Sequence, residues 1–123
     1  MKKYNVLIAD DEEDFLKMIS IRMDSIGYGY SIVRNGIEVL EYCKKEIPDL
    51  IVLDVMMPKL DGIQTLHKLK ADEKLKDIPV IILTAGRFDI SEELDDLATA
   101  NDFLLKTIDI KLVLQKIEDI LKS

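Results

Sequence analysis

Five short apolar runs punctuate the chain: "VLIA" at 6–9, "YSIV" at 30–33, "LIVL" at 50–53, "VIIL" at 80–83 and "FLL" at 103–105. The middle runs do not alternate with polar residues, which is the pattern of strands covered on both faces in a parallel sheet. Between the runs lie segments with apolar residues at helical spacing. The clearest is the last, where Ile110, Val113, Leu114, Ile117, Ile120 and Leu121 form one stripe. Side chains able to cap free amides mark helix starts. Asn35 with Glu38, Asp61 with Gln64, and Asp89 with Glu92 have the spacing of a capping box, and Asp109 can cap the final helix. Pro48 and Pro79 stand just before strands, where a helix cannot continue.

Strand and helix thus alternate five times. Right-handed crossovers turn that order into an α/β fold: a flavodoxin-like, doubly wound, five-stranded parallel sheet of order 2-1-3-4-5 with five helices. No linker, repeat or low-complexity segment interrupts the 123 residues, so 1–123 reads as one domain. The net charge of −7, from 24 acidic and 17 basic residues, argues against direct nucleic-acid contact, which needs clustered Lys and Arg. Cys43 is the only cysteine, so an internal disulfide is impossible and a small core residue is the expected role. The N-terminal "MKKYNVLIADD" is too short for a signal peptide, and no apolar run reaches the ~18 residues of a membrane span. The expectation is a cytoplasmic protein away from membranes.

What ends each apolar run changes the picture from fold to chemistry. The first ends in Asp10-Asp11, the third in Asp54, the fourth in Thr84 and the fifth in Lys106. Parallel strands point one way, so all five residues belong on one edge of the sheet, at the switch point where such sheets bind ligands. Clustered carboxylates call for a cation, and Mg2+ suits one or two carboxylates, waters and a phosphate. With Lys106 as a point charge and Thr84 as a hydroxyl donor, these are the parts that stabilise a transferring phosphoryl group, Asp54 being the nucleophile. Any one strand-end aspartate is well explained as a cap or turn former; the five together are not.

The chain resembles a response regulator receiver domain, the phosphoacceptor module of two-component signalling. "IADDEED" matches the acidic pair after the first strand, and "LIVLDVMMPKLDG" the phosphorylation-site segment with Pro58 and Gly62. "VIILTA" matches the fourth strand with its hydroxyl residue, and "FLLK" the fifth with its lysine. The resemblance implies that Asp54 takes a phosphoryl group from a phosphohistidine on a sensor histidine kinase or a histidine phosphotransfer protein. It implies Mg2+ held by Asp11, Asp54 and the Met56 carbonyl, with Asp10 acting through water. Thr84 and Lys106 would contact the phosphoryl group, and Phe103 matches the aromatic that changes rotamer on activation. A face of the fourth helix, fifth strand and fifth helix would then act on a downstream target, on an output domain outside this chain, or in a phosphorylation-dependent dimer. The module would catalyse only its own phosphorylation and dephosphorylation.

Two positions depart from the family pattern. Thr107 follows Lys106 where proline is usual, which predicts a trans bond there. Thr99 replaces the usual glycine before the fifth strand, so Asn101 is expected to take over the turn. Met56 and Gly86 stand where the family tunes phosphate loss, and neither positions a water, so slow self-dephosphorylation is expected. His67 and the acidic run "EELDD" at 92–96 read as surface features. Three other readings compete. An aspartyl phosphohydrolase would want a second aspartate where Met56 stands. A flavin carrier would want a Ser/Thr/Gly loop where "DDEED" stands. A phosphorylation-independent relative would not need the intact acid set. The chain stops at Ser123, just after the expected last helix, which fits either a single-domain regulator or an excised domain.

Overall fold

The computed structural model describes residues 4–85, 100–106 and 109–123. Its elements are β1 (Asn5–Ala9), α1 (Glu13–Ile26), β2 (Gly29–Val33), α2 (Gly36–Lys45), β3 (Leu50–Asp54), α3 (Gly62–Ala71), β4 (Val80–Thr84), β5 (Asp102–Leu105) and α4 (Ile110–Leu121). The strands form one parallel sheet of order β2-β1-β3-β4-β5, as the alternation of elements predicts. Four helices lie among the described residues. The expected fourth of five, with Asp89, Glu92 and "EELDD", falls on 86–99, and Gly86, Thr99 and Thr107 also lie outside the described residues. The helix labelled α4 here is the one expected as fifth.

The central strands β3 and β4 are buried along their whole length, which explains their unbroken apolar runs. Side chains alternate between the faces of a strand, and each face has its own core. Leu7, Ile51, Leu53 and Ile82 pack with Val39, Leu66 and Leu69 of α2 and α3. Val6, Ile8, Leu50, Val52, Ile81 and Leu83 pack with Ile19 and Met23 of α1 and Val113 and Ile117 of α4. The stripe predicted on the last helix is the one that packs: Ile110, Leu114, Ile120 and Leu121 flank those two buried residues. Cys43 is core, and burial pushes its thiol up to about 11.

Helix starts follow the capping chemistry with one shift. Asp61 and Gln64 form the full reciprocal box at α3. At α2, Asn35 accepts from the Glu38 amide at 2.9 Å, but the Glu38 carboxylate reaches past Asn35 to accept from the Arg34 amide at 2.7 Å. Asp109 caps α4 through the Lys111 amide. Asn101 does not take the left-handed turn expected of it: among the described residues, the only non-glycine with positive φ is Lys59. The Asn101 side chain instead accepts from the Val80 amide at 3.0 Å while the Asn101 amide donates to the Val80 carbonyl, pinning the entry of β5 to that of β4.

Candidate functional site

The alternation of side chains decides which strand-end residues meet. Asp10 continues the Val6–Ile8 face of β1, Asp54 the Leu50–Val52 face of β3, and Lys106 the Leu104 face of β5, all on the α1/α4 side. β1 and β3 are neighbours, so the two aspartates are adjacent; Asp10 is 2% and Asp54 5% exposed. Lys106 reaches them across β4. Its Nζ lies 2.7 Å from Asp10 Oδ2 and 3.4 Å from Asp54 Oδ2, with its backbone amide held by the Thr84 carbonyl at 2.7 Å. The carboxylate oxygens of Asp10, Asp11 and Asp54 come within 4.8 Å of one another. Asp11, Glu12, Asp54, Met56, Ala85 and Lys106 line a crevice of about 310 Å³ at this edge.

The electrostatics is that of crowded, partly dehydrated acids. Burial, then the charge of Asp10, pushes Asp54 up to about 6, against the pull of Lys106 and of the Met56 amide that bonds its carboxylate. Asp10 is raised as well, chiefly by burial. For Lys106, burial works against the charge, but the ion pairs with Asp10 and Asp54 outweigh it and hold the ammonium protonated above its usual range. Three acids against one lysine leave negative charge uncompensated. Hard oxygen donors at this spacing fit a small divalent cation such as Mg2+, and a mobile water shell would complete its coordination.

Other groups hold this arrangement in place. The Asp10 carboxylate accepts from the Glu12 amide at 2.9 Å, turning the chain out of β1 into α1. Gly62 donates to the Val55 carbonyl at 2.9 Å, and a Cβ on it would stand 2.1 Å from the Asp54 carbonyl oxygen. Only glycine lets α3 begin that close to the end of β3, which is the physical reason for the glycine in "LIVLDVMMPKLDG". Thr84 continues the Val80–Ile82 face, opposite to that of the acids, and shares it with Phe103, which pairs with Ile82. The Thr84 hydroxyl is fully buried and has no hydrogen-bond partner among the described residues. Phe103 is half-buried beside it. His67 is on the exposed side of α3.

Three site residues were not foreseen from the sequence. Glu12 Oε1 sits 3.1 Å from Lys106 Nζ, Phe15 packs its ring 4.9 Å beneath the same ammonium, and Ala85 lines the crevice. Glu12 follows the acid pair directly, but nothing in the sequence separates a third acid that meets the lysine from one that only faces water. Phe15 reads as an ordinary core residue of an amphipathic helix.

The chain belongs to the response regulator receiver domains, whose family model matches residues 6–118. It is therefore a receiver domain of two-component signalling, a signalling module of a family that binds Mg2+ at an acidic pocket. It is 34% identical over 119 residues to the DNA-binding dual master transcriptional regulator RpaA of Synechocystis sp., covering 95% of this chain and 48% of that protein. The chain spans about half the length of the first curated relatives it matches. Among solved structures it is similar to the signal receiver domain of a signal transduction histidine kinase from Syntrophus aciditrophicus (TM-score 0.86, 29% identity, 97% of this chain and 90% of that one). It is also similar to the receiver domain of sensor histidine kinase PA1611 from Pseudomonas aeruginosa (TM-score 0.87, 25% identity, 99% and 100%), solved with a magnesium ion coordinated in its active site cleft. Among the described residues no helix is long and apolar enough to cross a membrane.

Proposed function

We propose that the single domain 1–123 is a phosphoacceptor whose Asp54 takes a phosphoryl group from a phosphohistidine donor on a sensor kinase or phosphotransfer protein. The observation that carries this reading is the convergence of Lys106 with Asp10 and Asp54 at 2.7 and 3.4 Å. A carboxylate oxygen of Asp54 attacks phosphorus, the P–N bond to the donor histidine breaks, and the imidazole leaves with the bonding pair. Lys106 pairs with the oxygens that gain charge in that step. Asp10, Asp11, Asp54 and the Met56 carbonyl would hold Mg2+, which supplies charge neutralisation for the incoming phosphate. Asp10 has a second task, since its bond to the Glu12 amide fixes the turn that presents Asp11.

The output follows from the Thr84 hydroxyl, which has no hydrogen-bond partner among the described residues. A phosphoryl group on Asp54 brings acceptor oxygens and raises the charge there to about −2. Thr84 turns toward those oxygens, and Phe103, on the same face, fills the space it leaves. Such a bond contributes about 0.5–1.5 kcal/mol net, well short of the roughly 5.5 kcal/mol of a complete switch, so Lys106 and the cation must contribute the rest. The face around β5 and α4 is where a downstream protein, an output domain or a second copy would sense the change.

Incubation with acetyl phosphate and Mg2+ followed by intact-mass measurement tests the reading. The wild-type chain should gain one phosphoryl group and Asp54→Ala none; equal incorporation by both would overturn it.

A further inference from the structure

We propose that Glu12 is a latch on Lys106, a positioning residue that holds the ammonium at the rim of the crevice and limits how readily the lysine turns to an incoming phosphoryl group. An ammonium has three N–H donors, and those of Lys106 face three carboxylates: Asp10 at 2.7 Å, Glu12 at 3.1 Å and Asp54 at 3.4 Å. The nucleophile thus has the longest contact of the three. A phosphoryl oxygen can reach Lys106 only by displacing one of these acceptors.

The three acids are not equivalent. Asp10 and Asp54 belong to the oxygen cluster suited to a cation, whereas Glu12 stands outside it. A cation at the cluster competes with Lys106 for Asp10 and Asp54 and leaves Glu12 as the acid that still holds the lysine. Among the described residues, Lys106 is the one hydrogen-bond and ion-pair partner of the Glu12 carboxylate. Glu12 occupies the N-cap position of α1, yet its side chain makes no capping bond. Its carboxylate goes to Lys106 instead, and its side chain is 57% exposed against 10% for the lysine. The Phe15 ring beneath the ammonium supports the rim position from the core side.

The inference rests on the phosphoacceptor reading, and two substitutions separate direct contact from the general field of an acidic mouth. Glu12→Gln removes the charge. Glu12→Asp keeps the charge but withdraws it by one methylene, out of reach of Nζ. In the metal-free chain, 15N relaxation of the Lys106 ammonium should show a lower order parameter in both variants. With Mg2+ and acetyl phosphate, both should take up the phosphoryl group about two- to fivefold faster than wild type, the factor expected for a half-exposed ion pair. A Glu12→Asp rate equal to wild type, or an unchanged Lys106 order parameter, would overturn the latch. A wild-type chain that takes up no phosphoryl group would instead overturn the phosphoacceptor reading, and the ammonium measurement alone would then decide the latch.

Discussion

Thr84 and Asp54 show how a receiver site stores unfavourable contacts in single residues. A buried hydroxyl without a partner costs about 1–3 kcal/mol relative to one that is bonded. Thr84 is such a hydroxyl among the described residues, and valine has its shape without the oxygen. Thr84→Val should therefore raise the unfolding free energy of the unphosphorylated chain by about 1 kcal/mol in urea titration. The same substitution should leave phosphoryl uptake by Asp54 possible while uncoupling it from Phe103. A loss of stability would show that the hydroxyl is satisfied in solution.

Elements matter here through how closely they approach. The start of α3 is drawn against the end of β3 by the Gly62–Val55 hydrogen bond, and α2 is drawn in similarly, its Gly36 amide donating to the Leu60 carbonyl at 3.0 Å. The two junctions hold the loop after Asp54, and with it Met56, at the crevice. Gly62→Ala would set a methyl 2.1 Å from backbone that belongs to the central strand and cannot yield cheaply. Unfolding free energy should fall by about 2–4 kcal/mol, and phosphoryl uptake should fall with it because the Asp54 carboxylate is displaced. A variant of wild-type stability would mean that the helix start can retreat without disturbing the strand.

At the scale of the molecule, the crowded acids couple the site to global stability. Asp54 is raised from 3.8 to about 6 on folding, and Asp10 is raised too. An acid with a raised folded pKa binds more protons folded than unfolded between the two values, so it stabilises the fold at low pH and that contribution is lost as pH rises through the window. Lys106 has the opposite chemistry: its contribution is present below its unfolded value and is lost only at alkaline pH. The metal-free chain should therefore lose about 1–3 kcal/mol from this site between pH 4 and pH 7. Mg2+ held by the folded acid cluster would reverse the trend near neutral pH. Urea titrations at several pH values, with Mg2+ or with a chelator, check both signs. Asp54→Asn should flatten the metal-free dependence, and a dependence unchanged in that variant would assign it to other carboxylates.

The sheet, its order and its five strands were legible in the sequence because burial on both faces leaves unbroken apolar runs such as "LIVL" and "VIIL", and because parallel strands admit few crossovers. The convergence of Asp10, Asp11, Asp54 and Lys106 at one edge of the sheet followed from strand direction, whereas Thr84 ends its strand at the same edge but on the opposite face. What strand direction does not contain is side-chain reach across strands that are not neighbours. Only the tertiary structure could show that Lys106 passes over β4 to meet Asp10 more closely than Asp54, or that Glu12 shares it. The Asn101 turn failed for a related reason, since its side chain found the Val80 amide, a partner 21 positions away. Local pattern determined where each group stands along its own element; the packing of distant elements decided which groups touch.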